Sequence, residues 1–272
     1  MQEPVAAQHD VYPVASHRIP GQALDEGRYR VRFARDLDEL DQVQALRFQV
    51  FNVELGEGLE ESWRDQRDRD PFDAICHHLI VEDLVAGTIV GTYRMQTADM
   101  ARLPSPDHPE GLGFYSAGEF DLTAMPSSVV ELSVEVGRAC IALEHRNTQV
   151  LFLLWRGLAL YIAHNNLRYF FGCCSLTSQD PDEGAAMARH LESDGRLHPT
   201  VRIDPLPALV CGGDADAFTG RLHVPKLFRI YLRHGALVCG PPAIDRQFKT
   251  IDFLVLFDVA AMDEKRVRTF FG

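Results

Sequence analysis

The sequence predicts a mixed α/β fold, a central β-sheet flanked by helices in a single domain, and three stretches carry that prediction. Residues 129–141 (VVELSVEVGRACI) alternate β-branched and apolar residues with Glu131, Ser133, Glu135 and Gly137, a period of two that marks a strand with both carboxylates on one face. Residues 148–165 then read as a helix, and 168–175 (RYFFGCCS) as a second, very apolar strand. Strand, helix and strand in that order form a right-handed crossover with parallel strands, and ligands bind such sheets at the strands' carboxyl ends. Acid on a central strand is an unusual expense, so Glu135 is the expected floor of an active site.

The remaining elements follow in chain order. Residues 1–26 mix polar residues with Pro4, Pro13, Pro20 and Gly21 and suggest a loose or wrapping arm. Residues 29–34 alternate as a first strand. From Asp36 the spacing of Leu37, Leu40, Val43, Leu46, Val50 and Phe51 makes a helical stripe capped by Asp36 or Asp38. Residues 54–69, dense in both charges and containing Trp63, read as a flexible loop. Two strands, 76–82 and 88–96, form a hairpin across 83–87. Residues 97–126 are an irregular, Pro- and Gly-rich insertion around FYSAGEFDL (114–122), of the kind that is more often functional than idle. After the crossover come a helix at 180–194 opened by Pro181, a proline-broken connector at 196–208, a polar loop at 211–219, a helix at 226–234, an extended piece at 236–239 and a buried strand at 251–258 (IDFLVLFD). The domain is expected to span 27–260, with a tail at 261–272.

Composition narrows the function. An apolar fraction of 46% over 272 residues supplies a large core, and the net charge of -12 argues against a nucleic-acid partner. The six cysteines are scattered without metal-ligand or redox spacing, as in a reducing compartment. No stretch is long and apolar enough to span a bilayer, so a cytoplasmic location is expected, with peripheral contact at the inner membrane face admitted. His77 and His78, adjacent on a strand, point to opposite faces, and no metal site is expected. One segment departs from the acidic balance: Lys226, Arg229 and Arg233 recur at helical intervals and share a face suited to an acidic partner.

Several motifs in a fixed order are similar to one family. They are LRFQVFNVELG at 46–56, DPFDAICHHLIV at 70–81, VGTYRM at 90–95, FYSAGEFDL at 114–122 and EVGRACI at 135–141. Arg146, LLW at 153–155, FGCCS at 171–175, PKLFRIYLRHGALV at 225–238, IDRQF at 244–248 and Asp252 continue the series. Together they resemble the ornithine lipid N-acyltransferases (putative hemolysins), which share the GNAT acyltransferase fold and are related to the acyl-homoserine-lactone autoinducer synthases. The resemblance implies a GNAT-like mixed central sheet with a C-terminal extension. It implies transfer of a long-chain acyl group, 3-hydroxylated or not, from acyl carrier protein to the α-amino group of an amino acid such as ornithine, giving a lyso-lipid amino acid that partitions into membranes. Two other readings stay open, a signal synthase of the homoserine-lactone type and a non-catalytic acyl-binding module. Enzymes of this fold that use coenzyme A grip its pyrophosphate with a glycine-rich turn at a helix N-terminus. Here that stretch is EHRNTQ (144–149), without glycine, so acyl-phosphopantetheine on a carrier protein is the expected co-substrate, acyl-coenzyme A the poorer one, and no tightly bound cofactor is expected.

The chemistry can be assigned residue by residue. A desolvated carboxylate on the central strand suits the removal of a proton from the attacking amine, which is the role expected of Glu135. Arg138 falls on the opposite face of an ideal strand unless a bulge re-aims it; the resemblance assigns it to the acyl donor or to local geometry. Backbone N–H groups near 138–140 are the expected oxyanion donors. By resemblance to autoinducer synthases, Arg47, Asp70, Asp73 and Arg94 line the amino-substrate side, with Glu119 and Asp121 available for a distal amine. The donor side is expected to include Cys140, Arg146, Ser175, Lys226, Arg229 and Arg233.

Overall fold

The computed structural model describes residues 12–104 and 107–262. Nine strands form one sheet in the order β1-β2-β3-β4-β5-β6-β9-β7, with β8 also pairing β9. The strands are β1 (Leu24–Glu26), β2 (Tyr29–Phe33), β3 (His77–Asp83), β4 (Thr88–Thr97), β5 (Ser133–Ile141), β6 (Tyr169–Leu176), β7 (Leu237–Val238), β8 (Ala243–Asp245) and β9 (Thr250–Asp258). All pairs are antiparallel except β5 with β6, the crossover read from the sequence. The helices are α1 (Leu37–Phe48), the single turns α2 (Ala98–Ala101) and α3 (Ser127–Val130), α4 (Thr148–His164), α5 (Pro181–Ser193) and α6 (Lys226–His234).

The two sheet faces are covered differently. Val134 and Val136 of β5 and Phe170 of β6 pack with α4 through Leu153, Leu154, Leu158 and Ile162, while Cys174 and Leu176 meet Met187, Leu191, Phe228 and Leu232 of α5 and α6. On the other face lie α1 and the irregular segments, where Phe114, Phe120 and Met125 cover Phe171 and Leu254, and Leu46 and Val50 cover Cys140. Asp36 caps α1, accepting a hydrogen bond from the Glu39 N–H at 2.9 Å. The expected continuation of α1 to Phe51 is a π-helical turn, Gln49–Glu54.

Several expectations are corrected. The described part of the arm, from Tyr12, wraps instead of hanging loose: Tyr12 bonds His78 Nδ1 at 2.9 Å, the Val14 carbonyl meets His77 Nε2 at 2.7 Å, and β1 joins the sheet. Residues 1–11 and, at the tail, 263–272 lie outside the described residues. The stretch 54–69 is not a loose loop, because Asp68 is fully buried against Arg47. The strand expected from 129 starts at Ser133; Glu131 precedes it, exposed and paired with Arg102, so the two carboxylates do not share a strand face.

Two local features shape the centre. The β4–β5 register passes from Arg94↔Gly137 to Thr92↔Cys140, so Arg138 and Ala139 together oppose Tyr93 in a β-bulge, and Arg138 has φ 50°. The bulge turns Arg138 onto the α1 face. Beyond Glu135↔Phe171 the parallel β5–β6 ladder ends and the strands part. At the parting point Gly172 packs so closely that a Cβ would lie 2.2 Å from the Val136 carbonyl oxygen. Gly172→Ala is therefore expected to displace β6 and cost about 2 kcal/mol or more, read as a fall in the thermal unfolding midpoint.

Candidate active site

A cavity of about 400 Å³ occupies the gap where β5 and β6 part, and it is lined by residues from both sheet faces. On the α4 face the lining is apolar and aromatic: Val136, Ala139, Trp155, Leu158, Ala159 and Phe170, with Leu227, Phe228 and Tyr231 of α6. Within it the Tyr93 and Tyr231 hydroxyls bond each other, and Trp155 stacks on Tyr231. On the α1 face the lining includes Tyr115, Arg138 and Phe248 and an acidic group, Glu57, Glu119, Asp245 and Asp252. Glu119, Asp245 and Asp252 each offer an oxygen within 4.8 Å of the others. Such a triad must share protons or meet a cation.

Burial, then the negative charges of Asp252 and Asp245, push the Glu119 carboxyl up to about 9. Burial also raises Asp252, against the hydrogen bonds it receives from Ser175 and Thr250, and raises Glu57. Glu119 is thus the member that keeps its proton near neutrality. Cys173 lies 3.9 Å from it, and burial lifts that thiol far above the range in which it would be a nucleophile.

The expected base, Glu135, is placed elsewhere. It is buried but does not line the cavity. Its oxygens accept hydrogen bonds from the backbone N–H of Tyr115 and of Ser116, both at 2.7 Å, and from the Ser116 hydroxyl. Burial raises its pKa and these bonds oppose the rise. Glu135 therefore fastens the 3-10 turn Tyr115–Gly118 onto the central strand, and that turn delivers Glu119 to the cavity.

Arg47, Asp70, Asp73 and Arg94, expected beside the amino substrate, form instead a buried ion network off the cavity wall, together with Asp68 and Arg138. Arg47 meets Asp68 and Asp73 at 2.7 Å; Arg94 meets Asp70 at 2.6 Å and Asp73 at 3.0 Å; Arg138 meets Asp68 at 3.2 Å and Asp70 at 3.1 Å. Burial alone would raise Asp73, but Arg47, the His78 ring with its Nε2 3.5 Å away, and Arg94 hold it well below the usual carboxylate range. The network charges are spent on one another, and of the six only Arg138 reaches the cavity. Its guanidinium lies 4.4 Å from the Phe248 ring centroid and 4.8 Å from that of Tyr115. Asp68 escaped sequence reading because it sits in a run of alternating charges.

Other assignments divide. Glu119 lines the cavity among the acids, and Ser175, expected on the donor side, lines it at the acidic end, bonded to Asp252. Asp121 is an exposed cap that bonds Thr123, and Cys140 is buried among Leu46, Val50 and Phe248; neither lines the cavity. Arg146, also outside the lining, donates to the Ile141 carbonyl at 2.9 Å and pairs with Glu54. Lys226, Arg229 and Arg233 are all exposed on α6, which turns Leu227, Phe228 and Tyr231 toward the cavity. His77 and His78 point to opposite faces as expected, His77 bonding Tyr161 at 2.9 Å. The α4 N-terminus is closed by Asn147, whose side chain accepts the Val150 N–H at 2.9 Å.

Comparison with known proteins places this geometry. Residues 46–156 match the Acetyltransferase (GNAT) domain family. The chain is 30% identical to the L-ornithine N(alpha)-acyltransferase of Brucella abortus (strain 2308) over 264 residues, covering 89% of this chain and 88% of that protein. It is 32% identical to the enzyme of the same name from Rhizobium meliloti (strain 1021) over 241 residues, covering 84% and 79%. The chain belongs to the L-ornithine N(alpha)-acyltransferase family. Its fold is shared with FeeM, an N-acyl amino acid synthase from uncultured soil microbes, at a TM-score of 0.51 and 10% identity over 87% of this chain and 95% of that one. As a member of the L-ornithine N(alpha)-acyltransferase family it is an acyltransferase with the GNAT fold. Among the described residues no helix is long and apolar enough to cross a membrane.

The proton held by Glu119 gives this site a pH signature. Unfolded, the carboxyl ionises near its ordinary 4.5; folded, it resists until about 9. The folded state thus binds the extra proton in that window, and its stability falls as pH rises through it. Glu119→Gln is expected to flatten that decline and raise the unfolding midpoint at alkaline pH by several degrees. Glu135→Gln places an amide against backbone donors and is expected to lower the midpoint at every pH, a contrast that thermal unfolding across pH reads directly.

Proposed function

We propose that the protein transfers a long-chain acyl group, 3-hydroxylated or not, from the phosphopantetheine thioester of acyl carrier protein to the α-amino group of a basic amino acid such as ornithine. The observation that carries this reading is the cavity crossing the sheet, acidic on one face and apolar on the other. The apolar side suits an acyl chain and the acidic side a cationic amino acid, so the thioester carbon and the amine meet in the gap between β5 and β6. The relatives' name, which specifies L-ornithine and the Nα position, supports the same acceptor.

The chemistry follows from the groups present. Glu119 keeps its own proton and leaves Asp252 as the acceptor: burial raises the basicity of that carboxylate, so it can take a proton from the incoming ammonium and leave a neutral amine. The amine attacks the thioester carbonyl, and the tetrahedral intermediate expels the thiolate, which leaves as the thiol with the proton that the nitrogen gives up as the amide forms. Arg138, kept charged by Asp68 and Asp70, is placed to hold the substrate's carboxylate. A free side-chain ammonium is then accommodated by the remaining carboxylates.

Two features favour a carrier-protein donor. Asn147 already satisfies part of the helix end that would grip a pyrophosphate, and the exposed basic face of α6 stands over a cavity wall, where it can steer an acidic partner. The acylated product is a membrane amphiphile. Leu55 is part of the cavity wall and itself exposed, and with exposed Val53 and Trp63 it offers an apolar lip for a transient bilayer contact.

The test is mass spectrometry of products formed by purified protein from acyl-acyl carrier protein and ornithine. An N-acyl ornithine is expected, with Glu119→Gln slower by about 100-fold; absence of acylated amine from the unmodified protein would end the reading. Reversing Lys226 and Arg229 to Glu is expected to raise KM for the carrier protein about 10-fold with kcat little changed, an effect that shrinks in high salt.

A further inference from the structure

The apolar side of the cavity has a direction, fixed by strand register. Ser175↔Asp252 marks its acidic end, and Phe170↔Phe257 lies five residues along β6, or about 17 Å at about 3.3 Å per residue, the length of an extended acyl chain of about a dozen carbons, with Val259 and Met262 lining the cavity beyond that pair. The parallel β5–β6 ladder joins at Val134↔Phe170 and Glu135↔Phe171, so the gap closes at the same level. A chain entering through the gap must then run along the α4 side toward Phe170. There Phe170 and Phe257 stack across the strands, centroids 6.3 Å apart with planes 12° from parallel. Because α4 runs back along the parallel strands, Ala159 lies one turn farther along toward the start of β6 than Trp155, and both share the cavity wall with Phe170 and Phe257. Ala159 is the smallest side chain that α4 contributes to the wall, and it is buried.

We infer that Ala159, together with the Phe170–Phe257 pair, sets the length of acyl chain that the enzyme accepts. This rests on the acyl-transfer reading above. The space left by the missing side chain at Ala159 receives the terminal carbons, and the stacked rings narrow the way toward Val259 and Met262. A methylene that no longer fits such a pocket is disfavoured by about 10-fold or more, so small changes in wall volume move the preferred length instead of abolishing transfer.

The experiment offers the purified enzyme ornithine and an equimolar mixture of acyl-acyl carrier proteins of about ten to eighteen carbons, with product lengths read by mass spectrometry; the contrast between lengths follows from the cost per methylene. Ala159→Phe is expected to shift the preferred chain shorter by about two to four carbons, Ala159→Val by less, and Phe257→Ala to shift it longer. Ala159→Val adds little volume and is chosen to remain folded, as thermal unfolding would verify. An unchanged length profile in folded Ala159→Val and Phe257→Ala, whatever their rates, would overturn the inference while leaving the transfer reading intact. Failure of the unmodified enzyme to acylate ornithine at any length would overturn both.

Discussion

The structure depends on where one ladder stops. β5 and β6 hydrogen-bond in parallel for three residues and then separate, and at the parting point they approach so closely that no side chain could enter, Gly172 against the Val136 carbonyl. On one side β5 remains tied to β4, and on the other β6 remains tied to β9 along its full length. The sheet can therefore carry an opening in its middle without unravelling, since each edge of the opening keeps its outer partner.

Around that opening, buried charge is arranged in two ways. The Arg47, Arg94, Arg138, Asp68, Asp70 and Asp73 network balances three cations with three anions, and the close pairing compensates the desolvation that each charge would otherwise suffer. Its structural effect is to lock the 68–73 segment to α1, β4 and the β5 bulge, which fixes the direction of Arg138. Glu119 and Asp252 on the cavity wall lack such compensation, and burial raises both, Glu119 far enough to keep its proton near neutrality. The same fold thus contains one set of charges balanced internally, of which Arg138 also faces the cavity, and one set on the cavity wall that is not balanced.

Much of the architecture could be read from the chain. The β5–α4–β6 crossover, the β3–β4 hairpin, α1 with its Asp36 cap and the basic face of α6 follow from periodicity and capping chemistry. The bulge was readable only as a condition on Arg138, because nothing in EVGRACI marks the residue that takes a positive φ. Glu135 is unusual in the sequence, but its role lies in its partners: the N–H groups of residues 115 and 116 are supplied by a distant, irregular segment without periodicity. Asp252 gives the same signal as Glu135, an acid within an apolar strand, and there the wall of the cavity is reached. Asp68 had no signal of its own, since alternating charges resemble a solvated loop until tertiary contacts bury one of them.

The cavity is lined from both sides of the sheet, and under the proposed reading the acyl chain and the amino acid occupy different sides of it. Neither has to leave before the other arrives. A covalent relay through the enzyme is then unnecessary, consistent with the absence of an ionised thiol at Cys173, and the kinetics should follow a ternary-complex scheme in place of a ping-pong one. Carrier and acylated product can also depart independently, the one into solvent and the other toward a lipid phase.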